Sequence, residues 1–157
     1  MSVPLTSAAE ESARDRDVTL LYLIKQVELA VRQALDDVVA TADLTTLQYT
    51  ALTVLERHPG ITSAELARNS FVRAQSMAEM VNFLLGRGLL TRERDERNRR
   101  QYHLSLSADG QRLLDGLYES VADIETAMLE GFDAGQTEIL RIYLVRCRQS
   151  LSGHAPR

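Results

Sequence analysis

The sequence predicts a mainly α-helical fold carrying one small antiparallel β-hairpin, and three observations point there. Apolar residues recur at three- and four-residue steps through most of the 157 residues. Thr45–Gln48 and Thr62–Glu65 have the spacing of helix-opening capping boxes. Only around residues 89–106 does the apolar period fall to two, the repeat of a strand with one buried face.

Met1 to Arg16 is polar, with Pro4 and several Ser and Ala, and reads as a disordered arm. From Asp17 to Ala40, Leu20, Ile24, Val27, Val31, Leu35 and Val38 form one face of a long amphipathic helix. A second helix follows the box at Thr45 and runs to about Arg57, stopped by Pro59-Gly60. The box at Thr62 opens a short helix to about Asn69. After a turn at Ser70-Phe71-Val72, a further helix spans about Ala74 to Leu85, with Met77, Met80, Val81 and Leu84 buried and Gly86 and Gly88 ending it.

Leu89 to Glu93 then reads as a strand, and Tyr102, Leu104 and Leu106 alternate with His103 and Ser105 as a second one. Arg94 to Arg100 is the charged loop between them. Ser107 is placed to cap the next helix, with Asp109 in its first turn and a stripe of Leu113, Leu117, Val121, Ile124 and Met128. Asp133 caps a last helix whose Ile139, Leu140, Tyr143, Leu144, Cys147 and Leu151 are expected to face inward.

Composition narrows the function classes. The net charge is −4, yet residues 57–103 hold nine Arg against five acids, a local +4, and the remainder carries −8. A basic middle between acidic ends is the electrostatic footprint expected of a nucleic-acid binder. Cys147 is the only cysteine, so no intrachain disulfide or thiolate metal cluster is expected. The first seventeen residues lack the apolar core of a signal peptide, and no apolar run approaches a membrane span; a cytoplasmic protein is expected. The sequence holds no G-x-S-x-G, P-loop, G-x-G-x-x-G or H-E-x-x-H pattern, and His58, His103 and His154 lie far apart. No enzyme, metal or cofactor is expected.

Two short helices joined by a tight turn and followed by a basic two-stranded hairpin make a winged helix-turn-helix. Its second helix fits a major groove ~12 Å wide, while an Arg-rich loop reaches the neighbouring phosphates or minor groove. The residues Leu66-Ala67, Val72, Gln75-Ser76-Met77, Val81, Leu84, Arg87-Gly88-Leu89 and Arg92 carry the motif, together with the wing Asp95 to Arg100, Leu104-Ser105-Leu106-Ser107 and Gly110. Over about residues 17–150 this sequence resembles the MarR family of bacterial transcriptional regulators. It departs from the family pattern at Asn98 (usually Asp), Glu96 (commonly Pro), Ser107 (near the usual Thr), Arg73 (commonly a capping Ser or Asp) and Glu79 (commonly basic or polar).

The resemblance implies a homodimeric repressor. Residues 17–43 and 107–151 would form a helical dimerisation region, 44–106 the DNA-binding lobe, 1–16 an arm and 152–157 a flexible tail. Its partner would be double-stranded DNA with a pseudo-palindromic operator, its half-sites roughly 10 bp apart. Gln75, Ser76, Glu79 and Asn82 are the base-reading candidates, and Arg73 a phosphate contact. Arg97 and Arg99 stand at the wing tip, and Arg100 is expected to pair with Asp95 across the hairpin. Arg92 and Arg94 are expected to point to opposite faces of their strand, one to DNA and one to an acid within the protein. Tyr22, Lys25, Tyr49 and Tyr118 are candidates to line a cleft for a small aromatic or phenolic effector, with core packing the competing reading for the tyrosines. Cys147 reads as a small buried hydrophobe rather than a redox sensor. The rival function is a winged-helix module that binds another protein through its acidic surface without operator DNA.

Overall fold

The structure, a computed structural model, describes residues 18–152; the predicted arm 1–16 and the tail beyond Ser152 lie outside the described residues. The order is α1 (Leu20–Ala40), α2 (Thr46–Arg57), β1 (Ile61–Thr62), α3 (Ser63–Asn69), α4 (Ala74–Gly86), β2 (Leu90–Arg94), β3 (Tyr102–Leu106), α5 (Ala108–Met128) and α6 (Ala134–Ser152). The strands form one antiparallel sheet in the order β1-β3-β2.

Local chemistry fixes the helix starts. α1 begins at Leu20, three residues after the expected Asp17, because the Thr19 hydroxyl accepts from the Tyr22 N–H at 3.3 Å. Both predicted capping boxes are closed, Thr45 with Gln48 and Thr62 with Glu65. Asp133 caps α6 by accepting from the Gln136 N–H at 2.8 Å. α4 ends at Gly86 with Arg87 as its C-cap, and Gly88, at a φ of +70°, turns the chain toward β2, a backbone state open to glycine without a Cβ penalty.

The largest fully buried side chains are Val39, Leu52, Leu55, Leu66, Met77 and Leu84, joined in one core by Leu90, Leu104 and Leu114. Each such leucine contributes roughly 1.5–3 kcal/mol relative to exposure. Thus the end of α1 and the start of α5 help to bury the face of α2–α4. Gly110 marks the tightest approach: a Cβ there would stand 2.2 Å from the Leu89 carbonyl oxygen.

Residues 120–152 form a separate compact unit, made by the second half of α5 and by α6. The stripe expected to face inward on α6 stands largely open: Ile139, Tyr143, Leu144 and Leu151 are exposed, and so is Cys147. Nothing among the described residues covers it. Similarly, on α1 Leu20, Ile24 and Val27 are exposed, and only the end of the helix, at Val39, is buried.

Candidate nucleic-acid interface

α4 presents two unlike faces. Met77, Val81 and Leu84 are buried, while Gln75, Ser76, Glu79 and Asn82 are exposed. The second set is spaced one, four and seven residues on from Gln75, which keeps it on one side of a 3.6-residue helix. Arg73 takes the N-cap position in extended conformation and makes no side-chain cap. The first N–H groups of α4 therefore lack a side-chain acceptor, leaving a partial positive charge at the tip of the helix. The turn before it is tight. Phe71 holds a φ of 56°, where side chains are disfavoured, and is 90% exposed.

The wing turn is built by two side chains. The Asp95 carboxylate accepts from the N–H groups of Arg97 (2.7 Å) and Asn98 (3.0 Å). Asn98 Oδ1 accepts from the Arg100 N–H at 3.2 Å, so the amide oxygen does what a carboxylate would do there. These bonds leave the side chains of Arg97, Arg99 and Arg100 exposed. Arg100 was expected to pair with Asp95, but the partner of Asp95 is His103, with Nε2 2.9 Å from Oδ2. Residue 103 lies on the outer face of β3, within reach of both Asp95 and β1, and its Nδ1 is 2.8 Å from the Gly60 carbonyl. Two acceptors on one ring favour the imidazolium. The Asp95 hydrogen bond, then that to Gly60, raise the His103 pKa above its ordinary value, and the His103 hydrogen bond lowers that of Asp95.

Arg92 and Arg94 do not point to opposite faces. They are two residues apart, and on a strand that spacing returns to the same face. Both guanidinium groups lie over the Tyr102 ring, at 4.9 and 5.5 Å from its centroid. The ion pairs among the described residues involve Glu28, Asp95, Asp109 and Glu138, and the interface arginines are in none of them. A cleft of about 360 Å³ between α4 and the wing base brings Asn82 together with Arg92, Arg100 and Tyr102. Arg94 and Arg99 meet in a second cleft nearer the tip, together with Asp95 and Glu96. The arrangement offers an exposed helix face beside a cluster of positive charges that enter no ion pair among the described residues, which suits a polyanion with a readable groove.

Two contacts that position this surface went unread in the sequence. Arg87, at the end of α4, donates to the carbonyls of Asp43 (2.7 Å) and Ala42 (3.1 Å). Ser107 donates to the Gly88 carbonyl at 2.6 Å while capping α5 through the Gly110 N–H, joining the hairpin to that helix. The suggested effector residues fall elsewhere. Tyr22 and Tyr118 are exposed, Lys25 pairs with Glu28 at 2.7 Å, and Tyr49 packs against the core, where burial raises its pKa.

No helix among the described residues is long and apolar enough to cross a membrane. Known proteins share both sequence and fold with this chain. A family model described as "MarR family" matches residues 42–101, the helix-turn-helix and wing. The HTH-type transcriptional repressor Rv2887 of Mycobacterium tuberculosis is 30% identical over 97 residues, which cover 62% of this chain and 70% of that protein. The crystal structure of MarR superposes with a TM-score of 0.79 at 24% identity, covering 89% of this chain and 95% of that one. The S. aureus MepR–DNA complex gives a TM-score of 0.75 at 19% identity, covering 85% and 99%. Sequence and fold agree, and the chain belongs to the MarR family of winged helix-turn-helix regulators.

Proposed function

We propose that this protein is a homodimeric, DNA-binding transcriptional repressor that occupies a pseudo-palindromic operator. The observation that carries the reading is the exposed face of α4, with Gln75, Ser76, Glu79 and Asn82, set beside arginines that enter no ion pair among the described residues. In this reading α4 lies in the major groove, Gln75 takes an adenine edge, Glu79 faces cytosine N4, and Arg97 and Arg99 carry the wing to the phosphates. Arg73 meets a phosphate at the start of α4, and Arg92, Arg94 and Arg100 line the wing base. Residues 44–106 form the DNA-binding lobe, and residues 17–43 and 107–151 the dimerisation region. The exposed apolar residues of α1 and α6 support a second copy as their cover, since a monomer seldom leaves so many open to water. MepR, a structural neighbour, was solved on DNA, and the relative Rv2887 is named a repressor; both favour this reading over a protein-interaction module.

Release by a small aromatic or phenolic effector completes the proposal, with Tyr22, Lys25, Tyr49 and Tyr118 as the residues to probe. An effector that favours a spacing of the two α4 helices mismatched to successive major grooves shifts the population off DNA. The test is a footprint of the full chain on the DNA upstream of its own gene, with sedimentation at micromolar concentration. A two-fold symmetric footprint from a dimer is expected. A monomer, or no retention on DNA at low salt, would overturn the reading.

A further inference from the structure

The strand register determines where the wing base points. Leu90 pairs with Leu106, Arg92 with Leu104 and Arg94 with Tyr102. Partners across an antiparallel pair share a face, so the face that buries Leu90 and Leu104 continues outward as Arg92, Arg94 and Tyr102. The Tyr102 ring lies under both guanidinium groups, and its hydroxyl oxygen accepts from Arg94 Nη2 at 3.0 Å. Arg92 and Tyr102 line the cleft that reaches Asn82 on α4. Two like charges gathered on one ring repel each other, and neither is in an ion pair among the described residues, although Asp95 and Glu96 line the neighbouring cleft with Arg94. The ring face attracts each cation, and the hydroxyl fixes one of them.

We propose that Tyr102 is the positioning residue of the DNA interface: its ring and hydroxyl hold Arg92 and Arg94 side by side as a two-charge clamp for neighbouring phosphates. The inference rests on the DNA-binding reading and deepens it. A free arginine loses much rotamer freedom on contacting a phosphate, and one already stacked loses less. Tyr102 thus contributes affinity without contributing charge. The hydroxyl keeps an acceptor lone pair toward Arg94, and that hydrogen bond also lowers the Tyr102 pKa.

The experiment compares Tyr102→Phe, which keeps the ring, with Tyr102→Leu, which keeps only apolar bulk, in the full-length protein. Without DNA, the Nε–H resonances of Arg92 and Arg94 should carry ring-current shifts. Both should be lost in Tyr102→Leu, whereas Tyr102→Phe should move mainly Arg94. On a mixed-sequence DNA duplex, Tyr102→Leu should bind roughly 5–10-fold more weakly at unchanged salt slope. Tyr102→Phe should restore most of the affinity. Arg92→Ala/Arg94→Ala should instead flatten the slope, by ~0.9 for each phosphate released. Wild-type binding with Tyr102→Leu unaffected, or arginine resonances indifferent to the ring, would overturn the clamp alone. A wild-type protein that does not bind the duplex would overturn the DNA-binding reading and the clamp with it.

Discussion

The helix-turn-helix lobe and the terminal helices use the same apolar period and reach opposite ends. In α2–α4, Leu52, Leu55, Leu66, Met77 and Leu84 are at most 1% exposed. At the far ends of the chain, Leu20 on α1 is 76% exposed and Leu151 on α6 is 67% exposed. A helical stripe states that a face must be covered and is silent on which molecule covers it. The lobe closes its core with its own elements and with Val39 at the end of α1 and Leu114 on α5, whereas the stripes at the start of α1 and along α6 stand open among the described residues.

This contrast can be broken most directly at its two extremes. Leu52→Ala should cost about 2–5 kcal/mol in urea unfolding, at every protein concentration, because the cavity opens inside one chain. Leu151→Ala should act only through association, so its effect should grow as the protein is concentrated. A concentration-independent loss of equal size from Leu151→Ala would erase the distinction.

Two glycines of α5 sharpen it next. Gly110→Ala drives a Cβ toward the backbone oxygen of Leu89, which cannot swing away as a side chain would, and should cost roughly 1–3 kcal/mol. Nothing lies within 4 Å of a Cβ at Gly116, so Gly116→Ala should gain up to about 1 kcal/mol from helix propensity. Opposite shifts in melting temperature are expected, and shifts of the same sign would show that the hairpin yields at Gly110. A smaller effect belongs to the capping box of α3: Thr62→Ala should cost ~1 kcal/mol by calorimetry, against no measurable change for Thr41→Ala. Thr41 caps nothing at a helix start; its hydroxyl donates to the Val38 carbonyl at the exposed end of α1.

The least global effect lies in the wing and depends on pH. His103 titrates above its ordinary 6.5, so its stabilisation is complete below that value and is lost as pH rises through the raised one. Asp95 titrates below its ordinary 3.8, so its contribution is present above that value and is lost as pH falls through the lowered one. The turn is therefore tightest between about pH 4 and about 6.5. Amide shifts of Arg97 and Asn98, which donate to Asp95, should report both transitions, and His103→Gln should abolish the upper one. An upper transition that survives His103→Gln would place the titrating group elsewhere.

What the sequence revealed was mostly what a few neighbouring residues decide. The capping boxes at Thr45 and Thr62, the caps at Ser107 and Asp133, and the two faces of α4 depend on partners within a turn or two. β1 went unread because two residues, Ile61 and Thr62, become a strand only by pairing with Leu104 and His103. His103 read as one exposed position in an alternating strand, and its role appears only when β1 brings Gly60 beside it. Arg100 was matched to Asp95 by charge, whereas the turn turns that carboxylate toward the histidine. The exposure of Cys147 follows from the same limit, since the apolar repeat on α6 is real but no described residue covers it there.

One side chain has a mechanical meaning. Arg87 reaches from the end of α4 to the two carbonyls at the corner that closes α1, 44 and 45 residues earlier, and its guanidinium lies 5.9 Å from the centre of the Phe83 ring. The corner has little freedom of its own, with Asp43 held at a φ of 52°. α1 and α4 are thereby riveted together outside the core that Val39 and Leu84 share, so a torque on the first helix has a second route to the second. A lysine, with one point charge in place of a fork, cannot fill both carbonyls in the same way. Spin labels on α1 and α4 should therefore give a broader distance distribution in Arg87→Lys than in the wild type, and equal widths would show that the core alone transmits the motion.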